Sequence, residues 1–287
     1  MGRRLMLRAG VPVLCRRDGA VQLGWSPEDS TLLEPATDAV LGLLRALRTG
    51  LRPEDVAATA RQVGMTPDAA QALLTDLKQA GLAVLTPDVH ARPPAVRLIG
   101  SGPLTDALWQ SLRRHGHPTT RSRTAAPSAT GLRDRRPHLV VPTDTLIVDP
   151  ALVDRLHEAR APHLPVRIRD GRGVVGPLVV PGRTSCLRCA DLFRCDRDPE
   201  WPYLAAQLLG AVGHADPDSV AVTAGLALNQ ITAACDALFR PARRRDCALA
   251  TVNATVELDL HELRIDRRPW PQHPRCTCRL GGSTATL

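Results

Sequence analysis

Aromatic side chains are scarce in this chain: 2% of 287 residues, comprising one tyrosine, two phenylalanines and four tryptophans. A groove that binds single-stranded nucleic acid stacks bases on such rings, so that class of surface is poorly supplied. The scarcity also dictates a core of Leu, Val and Ala rather than rings. Long apolar runs are missing as well. None reaches the ~18 residues that would be read as a membrane span, so no membrane partner is expected. The opening "MGRRLMLRAGVPVLCRR" breaks before a signal-type apolar region can form, which predicts a cytoplasmic protein with reduced cysteines. Catalytic spacings are also absent. His115, His117, His138, His163, His214, His261 and His273 form no HExxH, and no Ser/His/Asp order or paired carboxylates stand out. The acidic run Asp196, Asp198 and Glu200 reads as a solvated loop, and "NAT" at Asn253 as a chance sequon.

The formal net charge of +8 raises an acidic partner as one reading. The arginines are scattered, however. The densest groups, "RDRR" at 133–136 and "RPARRRD" at 240–246, read as solvated loops without interleaved rings, so nucleic acid is not expected.

A length of 287 residues favours two domains, because single cores stop growing near ~250–300 residues. The pattern divides accordingly. Residues 11–25 hold two apolar runs around Asp18-Gly19, a hairpin signal. Three segments follow, 37–50, 52–64 and 66–81, each with a capping or proline start, a closing glycine and apolar residues three and four apart. "LAVLTP" at 82–87 returns as a strand, and the prolines of "TPDVHARPP" mark a linker. The expected division is a winged-helix-like module over 1–92 and a second domain over 93–287. That second domain opens with "AVRLIGSGPLTDALWQSLRRHG", a strand, a Gly-x-Gly turn and an amphipathic helix, as in a Rossmann-type α/β unit. A long small-residue helix is predicted over 217–239, then one or two strands in "LATVNATVELDLHELRI".

A dinucleotide fingerprint wants a third small residue after Gly100 and Gly102 and an acid about 20 residues on. Here Thr105 holds the third position and Pro103 removes a backbone donor. Arg121 and Arg123 follow instead of an acid, which first comes at Asp134. The nucleotide site is read as degenerate.

The chain has 8 cysteines, four of them in two close pairs: "CLRC" with Cys186 and Cys189, and "HPRCTC" with Cys276 and Cys278. Four thiolates suit a tetrahedral Zn²⁺ with no open coordination position, so the predicted site is structural. A redox Cys-x-x-Cys or an iron–sulfur cluster is the competing reading. Cys15, Cys195, Cys235 and Cys247 lack paired spacing. Cys235 falls on the apolar face of the long helix, and Cys195, six residues past the first pair, is read as a bystander rather than a nucleophile.

With "GPLVVPGRTSCLRC", "DLFRCDRDPEWP", the small-residue helix and "HPRCTC", nearly the whole chain resembles the ThiF-like (ubiquitin-activating superfamily) proteins of thiazole/oxazole-modified microcin, or bacteriocin, biosynthesis. These are cyclodehydratase partner proteins that bind leader peptides. The resemblance implies that a precursor peptide's leader adds as a strand to the edge of the N-terminal sheet. It also implies that a separate YcaO-type enzyme performs the ATP-dependent cyclisation, and that the chain is a homodimer like many relatives. Leu82 and Val84 of the closing strand, with the helix face of Leu73, Leu74 and Leu77, are the candidate peptide contacts, and equally a plain core. Adenylating members use a fuller glycine loop with an acid and with Arg and Lys on the phosphates, and of these only Gly100 and Gly102 remain. Asp144 or Asp149 is the counterpart of the family's metal-binding aspartate, and Asp149 is grouped with the two glycines as the remnant ATP/Mg²⁺ site. The alternatives are an adenylating enzyme acting on a peptide or carrier-protein C-terminus, and a winged-helix DNA-binding regulator. The latter is disfavoured because its recognition helix would carry Asp68 and Asp76 against a single Lys78.

Overall fold

The computed structural model describes residues 3–87, 93–123, 138–239 and 249–278, and the chain divides into two compact units, 1–91 and 92–287. The first unit runs β1 (Arg3–Leu7), β2 (Val13–Cys15), β3 (Val21–Leu23), β4 (Thr31–Leu33), α1 (Asp38–Thr49), α2 (Val56–Gln62), α3 (Pro67–Gln79) and β5 (Ala83–Pro87). Helices α1 and α3 start where the capping residues place them, whereas α2 follows a 3-10 turn over Pro53–Asp55 with no side-chain cap. The Thr37 and Thr66 hydroxyls accept the Val40 and Ala69 amides, and Pro67 supplies a first-turn residue that needs no donor. The expected hairpin is β2–β3, with the Asp18 carboxylate accepting the Ala20 amide and Gly19 at a φ of 84°. Two strands were not foreseen. β4 adds to the hairpin as a third antiparallel strand, and β1 pairs with the expected strand β5, placing Leu5 opposite Leu85. A three-residue strand such as β4 is too short to display alternation, and β1 lies 76 residues ahead of its partner's first residue, beyond any local signal. Leu5, Val21, Leu23, Leu43, Leu47, Leu74 and Leu77 form the core.

The second unit opens with β6 (Ala95–Ile99), α4 (Pro103–Arg114), β7 (Thr119–Ser122) and β8 (His138–Pro142), a parallel sheet of order β7-β6-β8. Parallel bridges from Val140 to His163 and from Thr143 to Val166 continue it past α5 (Pro150–Glu158). A second, antiparallel sheet of order β12-β11-β10-β9 joins β9 (Val166–Arg169), β10 (Arg172–Val175), β11 (Ala254–Asp259) and β12 (Arg264–Pro269). The β9–β10 connection is Asp170-Gly171, both at positive φ (52° and 75°), the two-residue turn whose twist matches the strands. Between the sheets' strands come α6 (Leu187–Arg197), α7 (Trp201–Gln207) and α8 (Pro217–Phe239).

The long helix α8 packs on α4, β8 and β10, and its small residues Ala224, Ala227 and Ala234 allow the close approach. By length and composition alone α8 could cross a bilayer, which run-counting in the sequence did not register. Half of its most apolar window is buried inside the unit, and Thr223, Gln230 and Asp236 are among its buried residues. The segments 133–136 and 240–246 singled out for charge lie outside the described residues.

Candidate functional site

Cys186 occupies the position before the first turn of α6 and Cys189 follows within that turn, where the Cys189 amide donates to the Cys186 carbonyl at 3.1 Å. Cys276 and Cys278 return from beyond β12. The four sulfurs lie within 4.8 Å of one another, with Cys186 to Cys189 at 3.7 Å, Cys186 to Cys276 at 3.6 Å and Cys189 to Cys278 at 3.4 Å. A tetrahedron with arms of about 2.3 Å has edges of about 3.8 Å, so these separations match four thiolates around one ion. They are far too long for a disulfide, whose sulfurs approach to about 2.05 Å. The donor set therefore fits a metal ion, with Cys186, Cys189 and Cys276 buried and Cys278 half-buried. The thiol chemistry points the same way. The hydrogen bond from Cys186 pulls the Cys189 thiol down to about 4, the same bond drives Cys186 far above the ordinary thiol range, and burial pushes Cys278 up to about 12. A bound cation is what lets several thiolates share one site.

A second clamp holds the Cys276 turn in place. His273, 2% exposed, bonds the Asp196 carboxylate of α6 through Nε2 at 2.8 Å, and its Nδ1 accepts the Arg275 amide at 3.1 Å. Its carbonyl accepts the Cys276 amide at 3.0 Å, and Phe193 meets its ring edge-on. Arg275 also pairs with Asp196. The Asp196 carboxyl is held below its usual range, first by the His273 hydrogen bond. Read from the sequence as part of a solvated acidic loop, Asp196 instead ties the two cysteine segments together across 77 residues. Only the proximity of both residues to paired cysteines could have signalled it. Cys195 is half-exposed on α6, Cys235 lies in the α8 core, Cys15 is exposed on β2, and Cys247 is outside the described residues.

The glycine turn is built around a carboxylate. Asp144, 2% exposed, accepts the amides of Leu104 at 3.0 Å and Thr105 at 3.1 Å, and the Thr105 hydroxyl at 2.5 Å. These are the donors at the start of α4, where an anion binds when a helix N-terminus is free. A Cβ on Gly102 would meet Asp144 Oδ1 at 2.5 Å, and one on Gly100 would meet Thr143 Oγ1 at 2.3 Å, so both glycines admit the end of β8. Asp149 does something else: exposed at the start of α5, it accepts the Ala151 amide at 2.9 Å as a cap. Arg121, a sequence candidate for a phosphate, pairs with Asp106 at 2.9 Å and lies over the Trp109 ring. Asn253 at the sequon accepts the Ser185 amide at 2.7 Å.

In the first unit, Leu74, Leu77 and Leu82 are buried core residues, while Leu73 and Val84 are half-buried. Among the described residues β5 pairs only with β1, and β4 only with β3, so each leaves an open edge. Leu32 on β4 and Leu85 on β5 are 49% and 44% exposed beside those edges.

No protein-family model matches the chain, and no curated protein matches it. Solved structures share its fold. The heterocyclase TruD superposes with a TM-score of 0.64 at 15% identity over 98% of this chain, and a heterocyclase in complex with substrate and cofactor with 0.65 at 16% identity over 97%. The chain spans 43% and 39% of those two proteins' lengths. The microcin C7 biosynthetic enzyme MccB, in complex with N-formylated MccA, gives 0.57 at 12% identity, with 96% of this chain and 99% of that one covered. The fold is thus that of heterocyclase and microcin-biosynthesis proteins.

Proposed function

We propose that the chain is a leader-peptide-binding scaffold of a ribosomal peptide modification system, presenting a precursor peptide to a YcaO-type cyclodehydratase. The reading rests first on the likeness of nearly the whole chain to heterocyclases and to MccB. The observation that supports a scaffold over an adenylating enzyme is Asp144. Its carboxylate already takes three donors at the start of α4, so a nucleotide phosphate would meet a negative charge there. On this reading unit 92–287 is a degenerate Rossmann-type domain that has no need of ATP and Mg²⁺.

Unit 1–91 serves as the winged-helix-like recognition module. A leader adds as a strand to an open edge, where backbone hydrogen bonds give affinity and side-chain pockets give selectivity. The half-buried Leu73 and Val84 and the exposed Leu32 and Leu85 are the apolar contacts, whereas Leu74, Leu77 and Leu82 support them from the core. Zn²⁺ is the ion proposed for Cys186, Cys189, Cys276 and Cys278, since all four positions of its tetrahedron are filled by thiolate and none is left for chemistry. Bound there, it cross-links α6 to the segment after β12.

The test is affinity capture from native lysate on the full chain, with nuclease treatment and mass spectrometry. Retention of a short ribosomal peptide together with a YcaO-type enzyme is the expected result. A small protein held covalently, or held only when ATP is added, would instead establish the adenylating alternative.

A further inference from the structure

The second unit contains a cavity of about 530 Å³ between α6, the β9–β10 hairpin, the stretch after β8 and the end of β12. Its wall is largely apolar and includes Leu146, Val148, Leu187 and Leu208 with the indoles of Trp201 and Trp270. Into this wall the fold sets a guanidinium. Arg167 on β9 is 8% exposed, and its one hydrogen bond among the described residues runs from Nη1 to the Leu146 carbonyl at 3.4 Å. No carboxylate among those residues comes within ion-pair distance of it. Guanidinium carries five N–H donors and stays charged at any physiological pH, so most of its hydrogen-bonding capacity is unspent.

Arg169, Arg188 and Arg194 also line the cavity. Arg169 pairs with Glu257 at 2.8 Å. Arg194 pairs with Asp191 at 2.8 Å and lies between Trp201 and Trp270, at 5.0 and 4.8 Å from their ring centroids. Asp191 also accepts the Trp201 indole N–H at 3.3 Å. A buried cation without a counterion in contact is costly, Asp191 and Glu257 act on Arg167 only from beyond contact distance, and a ligand anion would supply the missing charge.

We infer that this cavity is an anion-binding pocket in which Arg167 receives the carboxylate of a ligand whose apolar body lies against the aliphatic wall beside the indoles. The planar fork of arginine matches a carboxylate with two parallel hydrogen bonds. Asp154, Asp170 and Asp191 also line the cavity against Arg169, Arg188 and Arg194 beside Arg167, a lining that suits one negative charge better than the two of a phosphate. The carboxylate comes either from a small free acid or from the C-terminus of a peptide. The inference is independent of the role given to the first unit.

The experiment titrates the full-length protein with hexanoate, hexanamide and inorganic phosphate, reading tryptophan fluorescence and the melting temperature. Hexanoate at millimolar concentration is expected to shift both, while hexanamide and phosphate shift neither. Arg167→Gln is expected to raise the hexanoate Kd about tenfold or more, an effect that removing one charged contact readily produces. Should that variant fail to fold, Leu208→Trp keeps the guanidinium and narrows the apolar end, weakening hexanoate but not acetate. A short peptide with a free C-terminus, compared with its amide, separates the sources. Preference for the free peptide over hexanoate assigns a chain terminus, and the reverse assigns a small acid. Equal responses to hexanoate and hexanamide, a response to phosphate alone, no response at all, or hexanoate binding unaffected by either variant would overturn the inference.

Discussion

Paired cysteine spacing is readable from one sequence because each pair is local and the ligand chemistry is narrow. Cys186, Cys189, Cys276 and Cys278 converge as those pairs predict. Replacing Cys276 with Ser is expected to drop the metal content, measured by plasma mass spectrometry, from about one ion per chain toward zero, because three thiolates hold Zn²⁺ far less well than four. The supporting side chains were not legible. The bond from His273 to Asp196 spans 77 residues and belongs to no motif. Asp196→Asn should leave the ligands intact but weaken metal retention about 10- to 100-fold against a competing chelator, as losing an orienting partner does elsewhere.

Titration at single residues sets the acid limit. Burial lowers His163 to about 4, so between about pH 6.5 and 4 the unfolded chain takes up a proton that the folded chain refuses. Stability therefore falls across that window as pH drops, by on the order of 3 kcal/mol for this group. Asp196 acts in the same direction lower down: its contribution is present above the ordinary aspartate value and is lost as pH falls through its lowered folded value. Urea midpoints measured from pH 7 to 4 check the first effect, and a flat profile would contradict it.

Elements were legible where capping and periodicity agreed. Thr37, Thr66, Pro67 and the closing glycines placed α1 and α3, and the strand-turn-helix of β6 and α4 stood out for the same reason. Strands with distant partners were not, since β1 meets β5 and β4 shows only three residues. The glycine turn illustrates a subtler limit. Gly100 and Gly102 were seen, but glycine is needed both where a phosphate approaches and where a strand does, and only the fold reveals Asp144 in that place. Asp144→Ala removes two amide bonds to a carboxylate and is expected to cost about 2–4 kcal/mol, read by chemical denaturation, with no rescue by added ATP. At the open edge of β4, Leu32→Lys puts a charge beside the strand that a peptide would join. It should weaken leader binding about tenfold while leaving the melting temperature nearly unchanged, because Leu32 is half exposed already.

At the scale of the whole molecule, the chain combines a small unit with open strand edges and a larger one whose anion position at α4 is filled from within. On the proposed reading the open edges receive an extended peptide and the four-cysteine centre staples the larger unit, while the Leu104 and Thr105 donors at the start of α4 are already taken by Asp144. The most direct test is the affinity of the full-length, metal-loaded protein for the leader segment of a precursor peptide encoded beside it, measured with and without ATP and Mg²⁺. The account predicts a Kd of about 10 µM or tighter that is the same in both conditions. Binding that requires ATP, or no binding in either, would contradict it.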